Sequence, residues 1–233
     1  MPKGFFITGT DTGVGKTVVA SALLRKINDL GLRTGAMKPV AAGCVRTAAG
    51  LRNEDAELLM ENMSASFAYE LVNPYAFEDP IAPHIAAARE PQVIEVKKIL
   101  DCYEQISAAS DYVIVEGAGG WKVPINATES MADIAAVLAL PVIIVVSVKV
   151  GCLNHAILTY ESLLKSETPF AGWVANIVEL DVSHIPEQID TLRRTLYGPL
   201  LGIIPPMPRI NLTQVAEHLD VHFLMGEHTD GNH

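Results

Sequence analysis

Gly13, Gly15, Lys16 and Thr17 lie in the stretch GFFITGTDTGVGKTVV (4–19), between an apolar run that stops at Gly9 and a fresh apolar pattern that starts at Val18. Two residues without Cβ atoms let the chain turn tightly and aim successive N–H groups inward. Those donors, with the positive end of a following helix, suit a polyphosphate. The Lys16 ammonium adds charge toward the outer phosphates, and the Thr17 hydroxyl can ligate Mg2+. An ordinary glycine-rich turn is the plain alternative. Against it, strand, glycine, lysine, hydroxyl and helix occur in the required order. The usual spacing G-x-x-x-x-G-K-[ST] puts its first glycine where Thr10 stands. The extra residue after Gly9 lengthens the front of the loop and leaves the GKT end intact.

A phosphate-bound magnesium needs a carboxylate nearby. DYVIVEGAGG (111–120) offers Glu116 at the end of an apolar run, and its glycines, Gly117, Gly119 and Gly120, let backbone approach phosphate. Asp55, in RNEDAELL, is a second candidate, although acids are common in first helical turns for dipole reasons alone. Lys38, in AMKPV, closes a strand expected to lie beside the first, which would bring its ammonium near the loop. A snorkelling surface lysine is the competing reading. Asn176 ends GWVAN, and its carboxamide can match the N6/N7 edge of adenine, although asparagine is also a common turn residue. In VKVGCLNHA (148–156), Asn154 and the Gly151–Cys152 backbone suit either a polar ligand or a helix start. His84, in a proline-spotted stretch, is given no proton-transfer role.

The elements that must position these residues are legible as alternating patterns. Segments 4–8, 34–38, 111–116, 141–147, 171–176 and 200–204 read as buried strands. PVIIVVSV (141–148) is the clearest of them, apolar at nearly every position and rich in β-branched residues. Val19, Leu23, Ile27 and Leu30 recur at helical spacing after Lys16, with Gly31 as the expected stop. Helical patterns also cover 54–63, 93–108, 130–139, 154–165 and 184–196, and 67–91 reads as a long ordered loop. Strand–helix alternation implies an α/β fold with a mostly parallel sheet, in which ligands sit beyond the carboxyl ends of the strands. One domain is the simplest account of 233 residues, with about 221–233 as a flexible tail.

Nearly half the chain, 49%, is hydrophobic but only 6% aromatic, so the apolar mass is mostly Ala, Val, Leu and Ile. A net charge of −10 argues against general nucleic-acid or anionic-membrane binding, and no apolar run reaches the roughly 20 residues of a membrane span. Three cysteines without a C-x-x-C pair argue against a disulfide framework or zinc site. With no signal-peptide layout at Met1–Gly4, the expectation is a cytoplasmic protein with reduced thiols.

Together, FITGTDTGVGKT, MKPVAAG, LRNEDA, VNPYAF, APHIAA, VEGAGGWKVP, VVSVKVGCLNHA, GWVAN and LLGIIP resemble the dethiobiotin synthetase family, in that family's order, from residue 4 to about 205. The glycine–five-residues–GKT loop is the family's own form. The resemblance implies a three-layer fold of the P-loop NTPase type and a homodimer with active sites at the interface. It also implies ATP-dependent ring closure of 7,8-diaminononanoate with CO2 or bicarbonate. Nucleotide would lie along Gly13, Val14, Gly15, Lys16, Thr17 and Val18, beside Gly117, Ala118 and Gly119, with adenine near Asn176, Ile177, Pro205, Pro206 and Met207. Mg2+ would sit on Thr17, Asp55 and Glu116. Thr12, Lys38, Ala42 and the segment Gly151, Cys152 and Asn154 would hold the diamine or its carbamate, the segment reaching across from a partner subunit. Lys16 and Lys38 would carry the catalysis. Ala42 stands where members often carry a hydroxyl and Gly13 where some carry glutamate, and Ile177 and Pro206 differ from residues seen in some relatives beside the base. A partitioning-type ATPase switch, the rival of another class, commonly carries a second lysine at the front of the loop, which Thr10–Val14 lack.

Overall fold

The computed structural model describes residues 4–90, 92–179 and 183–225. In chain order the elements are β1 (Gly4–Gly9), α1 (Lys16–Asp29), β2 (Thr34–Met37), β3 (Val40–Ala42), β4 (Val45–Thr47), β5 (Gly50–Arg52), α2 (Glu54–Asn62), α3 (Tyr69–Val72), β6 (Tyr75–Phe77) and α4 (Pro83–Arg89). There follow α5 (Val96–Ala108), β7 (Tyr112–Gly120), α6 (Met131–Leu138), β8 (Val142–Ser147), α7 (Cys152–Lys165), β9 (Phe170–Asn176), α8 (Ile185–Thr195), β10 (Leu200–Ile204), α9 (Leu212–Glu217) and α10 (His222–Met225).

Six strands form one parallel sheet in the order β10-β9-β8-β1-β7-β2. Their side chains alternate between two cores. Phe6, Val113, Val115, Ile144 and Val146 face one side. Phe5, Ile7, Ile114, Ile143 and Val145 face the other, where they meet Leu23 and Ile27 of α1, Leu59 of α2 and Val215 of α9. A strand buried on both faces must be apolar at every position, which is why 142–147 was so legible. α1 stops because Gly31 takes φ 77°, the left-handed conformation that ends helices. α6 starts from a capping box in which Ser130 and Asp133 satisfy each other's backbone N–H groups.

Three expectations need correction. First, β2 does not adjoin β1: β7 lies between them and pairs in parallel with both. Second, β7 does not end at Glu116 but runs on to Gly120, its register with β1 shifting so that Gly9 pairs with Gly120. Third, the stretch 67–91 is not a loop throughout. It holds α3, then β6 paired in parallel with β3, then α4 with Pro83 in its first turn, where a missing N–H costs nothing. At the other end, Val221 is buried and 222–225 form a helical turn, while 226–233 lie outside the described residues.

Candidate active site

β1, β2 and β7 deliver their carboxyl ends to one cavity of about 850 Å3, lined by Thr12, Gly13, Gly15, Lys16, Thr17 and Val18 from the loop and first turn of α1. Lys38, Ala42, Asp55, Glu116, Ala118 and Gly119 complete the predicted part of the wall. The loop turns through Gly13 (φ 72°) and Gly15 (φ 93°), both in the left-handed region. The first turn of α1 carries no acidic residue, so the positive end of the helix is left for an anion. Lys16 folds back over the loop and donates from Nζ to the Asp11 carbonyl at 3.1 Å. Burial, then the neighbouring Lys38 charge, lowers the Lys16 pKa to about 8.

Lys38 follows β2 directly and is buried. Its ammonium donates to Glu116 Oε1 at 2.5 Å and Asp55 Oδ2 at 2.8 Å, and lies 3.4 Å from the Gly117 carbonyl. The Thr17 hydroxyl is 2.8 Å from Asp55 Oδ1 and 3.0 Å from Glu116 Oε1, so its one proton serves either carboxylate. Burial works against the Lys38 ammonium, but the charges and hydrogen bonds of Glu116 and Asp55 hold its pKa above the ordinary lysine value. Burial pushes Glu116 up, against the pull of Lys38 and with the repulsion of Asp55. Asp55, with 41% of its side chain exposed against 1% for Glu116, is pushed up by burial but pulled further down by Lys38 and Thr17. Glu116 Oε2 is buried with no hydrogen-bond partner among the described residues. Two carboxylates thus share one fully paired ammonium and one hydroxyl, and one buried carboxylate oxygen is still open. That is a donor set for a hard cation.

Other predicted residues stand outside this cavity. Val14 is buried, and its carbonyl accepts from Asn176 Nδ2 at 2.8 Å. Ile177 is also buried, and Pro205, Pro206 and Met207 are half-buried beyond β10. Gly117 sits in β7 against the Phe6 ring. Gly151 and Asn154, at the start of α7, are exposed, whereas Cys152 is buried and donates to Gln188 Oε1 at 3.1 Å. The wall also includes Asn53, Ile81 and Val123, which sequence reasoning did not select. Asn53 carried a readable signal, since an asparagine just before Glu54 is a helix cap, and its side chain does accept from the Ala56 N–H at 3.2 Å.

A parallel sheet with a glycine–lysine–threonine loop between its central strand and the first helix defines a nucleotide-binding domain of the P-loop NTPase class. A family model described as an AAA domain matches residues 3–214. Among solved structures, a chain of the MinC:MinD cell division protein complex of Aquifex aeolicus is 21% identical with a TM-score of 0.57, covering 93% of this chain and 87% of that one. That likeness is one of fold. The chain is 46% identical to the ATP-dependent dethiobiotin synthetase BioD of Pseudomonas paraeruginosa, over 93% of this chain and 96% of that protein. It is 50% identical to the enzyme of the same name from Aeromonas hydrophila, over 88% of this chain and 91% of that protein. The chain belongs to the dethiobiotin synthetase family.

Removing the ammonium should leave Glu116 buried and unpaired. Lys38→Met is expected to cost about 3 kcal/mol or more at neutral pH, the usual penalty for breaking a buried pair. Without Lys38 the Glu116 pKa rises further, so the folded variant binds a proton that the unfolded chain releases. Its deficit against the parent should therefore narrow as pH falls. Urea unfolding in metal-free buffer reads both effects, and a deficit that does not change with pH would mean that Glu116 is stabilised some other way.

Proposed function

We propose that this protein carries out the ATP- and Mg2+-dependent carboxylation and ring closure of 7,8-diaminononanoate with CO2, giving dethiobiotin, ADP and phosphate, the penultimate step of biotin synthesis. The observation that carries the proposal is the meeting of the phosphate loop, both lysines and two carboxylates in one cavity of a dethiobiotin synthetase-family chain. One amine attacks CO2 and forms a carbamate. A carbamate oxygen then attacks the γ-phosphorus of ATP, and ADP leaves. The second amine attacks the carbon of the resulting carbamic–phosphoric anhydride, phosphate leaves, and the cyclic urea closes.

The hard step joins two anions. Lys16 and Lys38, both buried, offer positive charge that needs no reorganisation at the moment of reaction. Holding carbamate and triphosphate together supplies the effective-concentration gain, so no covalent enzyme intermediate is needed. Thr17, Asp55 and Glu116 fit Mg2+, a reading supported by the unpartnered Glu116 Oε2. When bound, the ion would neutralise charge on the phosphate oxygens.

The remaining assignments belong to the same proposal. Asn176, Ile177 and Pro205–Met207 flank the base. Thr12 and Ala42, with Lys38, face the diamine. The exposed Gly151 and Asn154 serve a second copy of the chain, which accords with their absence from the cavity wall and with the exposed Val150 beside them. The chain acts as one catalytic domain in the cytoplasm. In support, no helix among the described residues is long and apolar enough to cross a membrane, and the three cysteines are free and buried.

The proposal is tested by mixing protein, 7,8-diaminononanoate, bicarbonate and MgATP and analysing products by mass spectrometry. The cyclised urea should form with one ADP per product, and Lys16→Ala should lower turnover at least about tenfold, a barrier change of about 1.4 kcal/mol. Steady ATP hydrolysis that ignores the diamine would contradict it.

The Lys16 pKa of about 8 sets a pH dependence. A polyphosphate favours the protonated lysine, so the bound pKa lies above the free one. ADP affinity should then fall as pH rises from 8 toward 10, with proton uptake on binding in that window. Calorimetry in buffers of different ionisation enthalpy measures both, and a flat affinity profile would exclude Lys16 from phosphate contact.

A further inference from the structure

Asn176 is tied to the phosphate loop in a way that no reading of it as a base contact requires. Its backbone is pinned between two strands: it pairs with Ser147 of β8 and Ile204 of β10, and its carbonyl accepts from the Val148 N–H at 2.9 Å. From that fixed point the side chain, only 7% exposed as a residue, reaches across 162 positions of sequence and donates from Nδ2 to the Val14 carbonyl at 2.8 Å. A carbonyl only accepts, so the orientation of the carboxamide is settled by its partner.

The described residues contain no cis peptide. In a trans peptide the C=O and N–H point in opposite directions. With the Val14 carbonyl drawn toward Asn176, the Gly15 N–H of the same peptide unit must point away from it. Gly15 lines the cavity. The approach is so close that a Cβ on Gly15 would meet Asn176 Nδ2 at 2.1 Å. Glycine permits that contact, but its backbone freedom also permits the peptide to flip. A flipped peptide would turn a carbonyl oxygen toward the phosphates in place of a donor.

We propose that Asn176 is a positioning residue that locks the Val14–Gly15 peptide so that the Gly15 N–H faces the phosphates. The inference rests on the reading of this cavity as a polyphosphate site. It is separable from base recognition, because a ligand without a base would still feel it.

The experiment measures binding of inorganic tripolyphosphate and of ADP to the parent protein, Asn176→Ala and Asn176→Asp, with circular dichroism and thermal midpoints to confirm folding. In folded variants tripolyphosphate should weaken about tenfold or more, the effect of misaiming one hydrogen bond to a charged group, and ADP should weaken at least as much. Should the alanine variant fail to fold, the near-isosteric Asn176→Asp carries the comparison, its carboxylate repelling the Val14 carbonyl. Tripolyphosphate affinity that stays at the parent level, whatever happens to ADP, overturns the proposal. A parent protein that binds neither probe fails at the earlier step, the polyphosphate reading itself.

Discussion

A lysine ammonium closed off from water is tolerated only where opposite charge meets it, and Lys38 has two carboxylates and a carbonyl around its Nζ. The rest of the site depends on that pairing. It requires β2 and β7 to be neighbours, so that Lys38 just past one strand and Glu116 within the other meet across the sheet. It requires α2 to begin where it does, so that Asp55 in its first turn closes the group from the open side. Thr17 belongs to the same network by hydrogen bonds to both acids, which ties the phosphate loop to it. Four separated segments are thereby fixed before any ligand arrives. Such preorganisation is what electrostatic catalysis needs, since charge already in place need not be moved during the reaction.

The loop is held from below as firmly as from the side. Thr10 N–H donates to the Val145 carbonyl of β8, and Val14 is buried with its carbonyl engaged by Asn176. Lys16 closes over the front through the Asp11 carbonyl. A glycine-bearing loop is free to take many shapes in isolation. Here its freedom is spent on two positive-φ turns and on close approach to Asn176, and the surrounding strands remove what is left.

Much of this was legible in the sequence because it is local. β8 announces itself through an unbroken apolar run, and α1 through its spacing and Gly31. The GKT end, Glu116, Asp55 and Lys38 carry residue types whose chemistry is their own, and all line one cavity. What could not be read is pairing at a distance. Nothing between residues 4 and 38 says that β7, some eighty residues further on, will insert between β1 and β2. The three-residue strands β3 to β6 are too short to show a period, and the prolines around β6 read as a loop. Asn176 was visible as an amide at a strand end, but its partner, Val14, is a backbone carbonyl, which no side-chain pattern encodes.

The central claim is that one cavity, through two buried lysines and a bound divalent cation, brings triphosphate and a second anion together. A crystal structure of the protein with a non-hydrolysable ATP analogue and Mn2+, the metal located by its anomalous scattering, tests it most directly. The account predicts Mn2+ on Thr17 Oγ1, Asp55 and Glu116, with Lys16 and Lys38 both directed at the terminal phosphate. Mn2+ lodged away from those three side chains, with either lysine turned to bulk solvent and the phosphates outside the loop, would contradict it.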